Sequence, residues 1–378
     1  MNQFVYLDNN ATTKLSKKVF ASVKNIPLLQ FGNPSSSHFF GKKARELVED
    51  ARASVASFIS AKPEQIVFTS GGSEGNCSAI FSALMKFPEK KKIVTTKIEH
   101  ASILEYCKLM EKIGYETSYI DVDEIGRINL EALKKEIDEN TAIVSIACAN
   151  NETGVIAHFF EIKQIIAEKK KQFNFVFHTD AVQALGKIHF NATSLQVDVA
   201  TFSGHKIHAP KGCGFIYIKE PKNFVPLISG HQENGLRGGT ENVAGIVAMG
   251  KCCEIMKENF EKSLEKLHKL QMFLEKKLSK VSGVNVNFKE AMFRLPNTTS
   301  ITFDKFDGNK MLFALEKQGI CVSTGSACNS ASAEPSHVLR AMKVNKPENT
   351  IRISTSEETT RNQINYFVLM VENILGGK

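Results

Sequence analysis

Thr201-Phe-Ser-Gly-His-Lys-Ile-His-Ala-Pro-Lys-Gly-Cys-Gly214 lies between two apolar runs, 197–202 and 214–218, each of a length and composition that read as a buried strand. A Pro/Gly turn at 210–212 joins them. Lys206 stands at the end of the first run, between His205 and His208. A lysine held there among polar neighbours loses hydration, which favours the neutral amine, the form that condenses with a carbonyl. That chemistry points to a Schiff-base lysine. A lysine in such a loop is otherwise ordinarily a solvated one.

Two other segments share this form, an apolar strand delivering polar residues at its end. In Phe173-Asn-Phe-Val-Phe-His-Thr-Asp-Ala-Val-Gln-Ala-Leu185 the delivered residue is Asp180, at the strand end where ligands collect in open α/β sheets. A carboxylate there can pair with a protonated pyridine nitrogen, which makes pyridoxal phosphate an electron sink; the bland alternative is an N-cap. In Thr69-Ser-Gly-Gly-Ser-Glu-Gly-Asn76 a glycine-rich turn joins a strand at 66–68 to a helix, so main-chain N–H groups can hold a phosphate. The turn lacks the lysine and spacing of a nucleoside-triphosphate loop.

Short apolar strands alternate with amphipathic helices along the chain: helix 42–58, strand 66–68, helix 75–86, strand 93–95, helix 102–113, strand 117–120, then 143–147, 162–170 and 175–177. This predicts an α/β fold with a mostly parallel, doubly wound sheet. A long helical pattern over 242–282, expected to be kinked or broken, leads to strands at 284–287, 300–303, 320–323 and 350–353 and helices at 309–318 and 357–375. The predicted division is a large unit of residues 15–250 and a smaller α+β unit of 1–14 with 251–378.

Composition adds limits. With 378 residues, 42% hydrophobic and 23% charged, the chain has the make-up of a soluble globular protein with ample core. No apolar run approaches a membrane span, and the N-terminus enters a motif directly, without a signal-peptide pattern, so the expectation is cytoplasmic. Eight cysteines occur without a CxxC pair, which argues against a disulfide framework or a standard zinc site; no metal is expected. The net charge of +8 comes from lysines spread over helical faces, not from a basic stretch interleaved with aromatics, so nucleic acid is not an expected partner.

Taken in order, these segments resemble the class V aminotransferases, and among them the cysteine desulfurases of the NifS and IscS type. The resemblance spans nearly the whole chain. It includes Tyr6-Leu-Asp-Asn-Asn-Ala-Thr-Thr13, Phe31-Gly-Asn-Pro-Ser-Ser36, Glu99-His100, Asn150-Asn-Glu-Thr-Gly154, Asp180-Ala-Val-Gln183, Ser203-Gly-His-Lys206, Arg237-Gly-Gly-Thr240 and Ser326-Ala-Cys-Asn-Ser-Ala-Ser332. It implies the aspartate aminotransferase-like fold of pyridoxal-phosphate enzymes (fold type I) and a homodimer. It also implies that Lys206 bonds the cofactor, Asp180 meets its pyridine nitrogen, Gln183 donates to its phenolic oxygen, and His100 stacks on the ring and shuttles protons. Asn151 is implied as a further cofactor contact. Phosphate contacts would come from Gly72, Ser73, Ser203 and His205, and from Thr240 across the dimer interface. Arg352, with Asn33 and Asn151, would hold the substrate carboxylate. The turn departs from the family's Gly-Ala-Thr-Glu-Ser at Ser73 and Gly75, keeping a hydroxyl at Ser73.

Ser323-Thr-Gly-Ser-Ala-Cys-Asn-Ser-Ala-Ser-Ala-Glu-Pro335 consists almost wholly of small residues around one thiol. Such a stretch buries little apolar surface, so Cys328 reads either as incidental or as a nucleophile on a swinging surface arm. The resemblance favours the second: L-cysteine as substrate, alanine and a Cys328 persulfide as products, and a sulfur-acceptor protein such as an iron–sulfur scaffold as partner. A selenocysteine lyase or another class V aminotransferase or lyase, and a non-catalytic sulfur-transfer scaffold, are the alternatives.

Overall fold

The computed structural model describes residues 4–324 and 335–377. Strand β1 (Val5–Tyr6) is followed by helices α1 (Lys17–Val23), α2 (Ile26–Leu29) and α3 (Phe39–Phe58). Next come β2 (Ile66–Thr69), α4 (Gly72–Lys86), β3 (Lys92–Thr96), α5 (Ala101–Lys112), β4 (Glu116–Ile120) and α6 (Leu130–Glu136). The alternation continues through β5 (Thr141–Ser145), α7 (Phe159–Lys170), β6 (Val176–Asp180), α8 (Ala192–Leu195), β7 (Val199–Ser203) and β8 (Gly214–Ile218). Helix α9 (Val243–Leu278) then leads to β9 (Val284–Val286), β10 (Thr298–Phe303), α10 (Gly308–Lys317), β11 (Ile320–Cys321), α11 (His337–Ala341), β12 (Thr350–Ser354) and α12 (Arg361–Leu375).

Seven strands form one sheet in the order β2-β8-β7-β6-β5-β3-β4, in which only β8 runs antiparallel to its neighbours. Its inner strands are buried at every residue, so their polar members are paired in the interior: Thr95 Oγ1 donates to the Ser145 carbonyl, and His178 lies between Ser145 Oγ and Thr201 Oγ1. Alternate residues serve the two faces. Val67, Ile93, Ile143, Val176, Val199 and Ile216 pack with α4 and α5 residues such as Ile80 and Ile103. Phe68, Val94, Val144, Phe177, Ala200 and Phe215 belong to the larger cluster on the opposite face. The register partners Phe202 and Phe215 stack there with ring centroids 4.4 Å apart.

A separate cluster surrounds the antiparallel sheet β12-β10-β9 and the parallel pair β1-β11. Helix α9 serves both clusters, with Ile246, Met249 and Cys253 in the first and Leu270, Leu274 and Leu278 in the other. The break expected in this segment is absent: α9 is one helix of 36 residues. Gly250 within it allows close helix packing, since a Cβ there would lie 2.6 Å from Ala51 Cα on α3.

The same helix α3 carries a buried ion pair. Arg52 donates to both carboxylate oxygens of Glu233, at 2.7 and 2.9 Å, and to the Ile66 carbonyl. Glu233 also accepts from Phe68 N at 2.8 Å, so the pair fixes β2 against α3 and the turn that precedes Thr240. Arg52 has a second but largely exposed partner in Glu49 at 3.1 Å, so removing Glu233 leaves the buried guanidinium only partly compensated. Glu233→Ala should therefore lower unfolding stability by about 3 kcal/mol in denaturant titration; a change below about 1 kcal/mol, the worth of an exposed pair, would show the pair to be dispensable.

Candidate active site

The carboxyl ends of β3, β5, β6 and β7 open onto one cavity of about 340 Å³. This is the place where open α/β sheets hold ligands. Strand β6 ends at Asp180, β7 at Ser203 and β3 just before Glu99 and His100, while the turn after β5 brings in Asn151. Helix α4 begins at Gly72, so its first N–H groups face the cavity that Gly72 and Ser73 line. The glycine is required by space: a Cβ at Gly72 would meet Val182 Cγ2 at 2.9 Å.

Lys206 Nζ donates to the carbonyls of Asn10 and Ala11 at 2.6 and 2.7 Å. Asp180 accepts from Val182 N at 2.9 Å and from Asn76 Nδ2 at 2.8 Å. Asn76 also donates to Ser102 Oγ at 2.9 Å, and Ser102 Oγ lies 2.8 Å from His100 Nδ1. Because Ser102 N donates to the same Nδ1, that nitrogen is an acceptor and the ring proton of neutral His100 sits on Nε2. A chain of hydrogen bonds thus joins Asp180 to His100.

His205 Nδ1 pairs with Thr12 Oγ1 at 3.1 Å. Burial, aided by the nearby charges of Lys206 and Lys211, pushes its pKa down to about 4 and keeps the ring neutral. Arg352 is 2% exposed and already engaged: one nitrogen donates to Asp8 Oδ1 at 2.6 Å, the other to the Asn151 carbonyl at 3.0 Å. Its Nε, with Asn76 Oδ1 and Glu99 Oε2, is buried without a hydrogen-bond partner among the described residues. A ring nitrogen opposite Asp180, a phosphate at the start of α4 and an aldehyde near Lys206 fit this donor set, and the volume suits a cofactor of that size.

The model of the family described as aminotransferase class-V matches residues 5–367. The chain belongs to the class V aminotransferases. The cysteine desulfurase of Trichormus azollae is 44% identical over 375 residues, covering 98% of this chain and 92% of the relative. Cysteine desulfurase IscS of Dictyoglomus turgidum is 41% identical over 380 residues, 99% of this chain and 95% of the relative. A solved NifS-like protein superposes with a TM-score of 0.92 at 36% identity and full coverage of both chains.

Within this class V chain, Gly72, Ser73, His100, Asn151, Asp180, Gln183, Ser203, His205, Lys206 and Arg352 all line the cavity. Asn33 and Thr240 do not; both are exposed, and Asn33 Oδ1 accepts from Ser35 N. Cys328 lies outside the described residues. The sequence reading passed over Asn10, Asn76, Ser102, Asp8 and Glu152, whose placement depends on pairings across long stretches of chain. All but Ser102 fall within the motifs named above, without a role assigned there.

Glu99 and His337 also line the cavity without a role assigned from sequence. Glu99 accepts from Thr96 Oγ1 at 2.7 Å and Ala147 N at 3.1 Å, and burial pushes its pKa up to about 8 despite those donors. A carboxyl raised by folding contributes stability that is complete below its ordinary value of 4.5 and is lost as pH rises through about 8. Glu99→Gln, which cannot ionise, should therefore gain stability relative to the parent protein as pH goes from 5 to 8. Chemical denaturation across that range would show a constant difference if Glu99 were ionised throughout.

Proposed function

We propose that this chain is a pyridoxal-phosphate-dependent L-cysteine desulfurase that leaves alanine and a persulfide on Cys328. The observation that carries this reading is where the 325–334 segment is tied. Before it, Ser323 and Arg352 exchange main-chain hydrogen bonds at 2.6 and 3.2 Å. After it, Ser336 Oγ donates to buried Glu152 and His337 Nε2 to the Glu99 carbonyl at 3.0 Å. Arg352, Glu152, Glu99 and His337 all line the cavity. In sequence Cys328 falls between these two attachments, four residues past Thr324 and eight before Ser336.

When bound, pyridoxal phosphate supplies an electron-accepting ring for charge left at the substrate α-carbon. In this reading Asp180, fixed by Val182 N and Asn76, holds the pyridinium proton. Phosphate is bound by the first N–H groups of α4 and by Ser73, Ser203 and neutral His205, and Thr240 of a second copy completes the grip in a homodimer. Arg352 and Asn151 orient the substrate carboxylate, while Asp8 keeps the guanidinium in place. As a neutral amine Lys206 would take the substrate α-proton, and His100 would deliver its Nε2 proton to the substrate methylene carbon. Cys328 thiolate attacks the substrate sulfur. The S–Cys328 bond forms as the C–S bond breaks, and its electron pair stays with the carbon fragment, which takes up a proton at Cβ and regains one at Cα from Lys206 to become alanine. A sulfur-acceptor protein such as an iron–sulfur scaffold then takes the persulfide sulfur.

The same reading takes residues 15–250 as the cofactor unit and 1–14 with 251–378 as the smaller one. Among the described residues no helix is long and apolar enough to cross a membrane, and all seven cysteines are free thiols, as a reducing cytoplasm permits.

Lys206→Ala should lose both turnover and the covalent retention of cofactor that borohydride gives the parent protein; retention at parental stoichiometry would mean another lysine bonds it. Cys328→Ala should still bind cofactor and cysteine, while alanine and protein persulfide formation fall by about three powers of ten or more. A selenocysteine lyase would lose far less, and undiminished cysteine turnover in that variant would reject the Cys328 step.

A further inference from the structure

Lys187 is buried beside the cavity, 6% exposed, and takes no part in the chemistry above. Its Nζ donates to Gln183 Oε1 at 2.5 Å and to Asn10 Oδ1 at 3.4 Å. The other end of the same amide is held as well, because Gln183 Nε2 donates to the Asn10 main-chain carbonyl at 3.1 Å. Asn10 is itself pinned: Oδ1 accepts from Asn297, and Nδ2 donates to Thr298 Oγ1 and the Asn151 carbonyl.

A primary amide carries two N–H donors and one oxygen. With that oxygen on Lys187 and one N–H on Asn10, the second N–H is left for the cavity that Gln183 lines. The flipped amide would set Oε1 against the Asn10 carbonyl, acceptor facing acceptor. We propose that Lys187 is a positioning residue that holds the Gln183 amide with its donor turned toward the cofactor's phenolic oxygen. The proposal rests on the reading of Gln183 as a cofactor contact.

The state of the amine suits the task. Burial, then the charges of Lys206 and Arg352, push Lys187 well below a lysine's ordinary pKa, against a weaker opposite pull from Glu357. A neutral amine still donates to Gln183, yet it brings no unpaired charge into the interior.

The test is a double-mutant cycle read on the affinity of the apoprotein for pyridoxal phosphate, measured by equilibrium dialysis, with thermal unfolding of each apoprotein alongside. Lys187→Met keeps the length of the side chain and deletes its donors. Gln183→Ala should weaken binding about tenfold and Lys187→Met about fivefold, whereas adding Lys187→Met to Gln183→Ala should cost less than about twofold more. A lysine that only supported the fold would lower affinity by the same factor in both backgrounds, and that outcome overturns the proposal. Parental affinity in Gln183→Ala would instead overturn the reading of Gln183 and remove the proposal's object. Lys187→Leu carries the same cycle if Lys187→Met does not fold.

Discussion

The main-chain carbonyl of Asn10 accepts from both Lys206 Nζ and Gln183 Nε2, and the rest of the site hangs on that double acceptance. It is possible because residues 5–16 are stitched across the molecule. Val5 and Leu7 bond Gly319 and Cys321, Asn9 and Asn10 bond Ser354, and Thr13 and Ser16 bond the main chain at His205 and His208. One short segment therefore links the small sheet to the loop that carries Lys206. Asp8 on this segment also holds Arg352, so the groups assigned to the cofactor and to the substrate carboxylate share one support.

Burial then decides which groups beside this support carry charge. His205 is kept neutral, Lys187 is pushed toward neutrality, and Glu99 is pushed toward its protonated form. His178, two residues before Asp180 on β6 and between Ser145 Oγ and Thr201 Oγ1, is driven down to about 3 by burial alone. The surroundings are thus rich in hydrogen bonds and poor in net charge. That combination suits a dianionic cofactor whose ring must accept and release charge, since each buried ion left unpaired would bias one protonation state.

The sequence made legible what depends on local pattern. Buried parallel strands read as apolar runs, and the residues just past 180, 203 and 99 fell at the strand ends where the cavity forms. Element ends were less legible where glycine was involved. The start of α4 at Gly72, against an expected 75, reflects a glycine kept for contact with Val182 as well as for the turn. Asn76, Lys187 and Asn10 were illegible because their partners are set by tertiary packing, as in the 177 positions separating Lys187 from Asn10. Asn33 and Thr240 were named from resemblance, and within one chain neither reaches the cavity.

A thiolate nucleophile needs a site that tolerates its charge, and the described cysteines lack one. Cys107, Cys148 and Cys213 are buried, and burial pushes each up to about 12; Cys252 and Cys253 are driven higher still. Half-buried Cys77 rises to about 11, and Cys321 is raised by burial with Glu316 and Asp8 nearby. None of these offers the positive surroundings that lower a thiol's pKa. Cys148, which follows β5 and bonds the Asp180 carbonyl through its N–H, is the instructive case. It is placed close to the cofactor groups, yet the Asp180 charge adds to burial in suppressing its thiolate. Proximity to the cavity is therefore not sufficient. The proposed sulfur transfer calls for a thiol outside such settings, and that part is proposed for the eighth cysteine, Cys328, whose neighbours in sequence are almost all small residues.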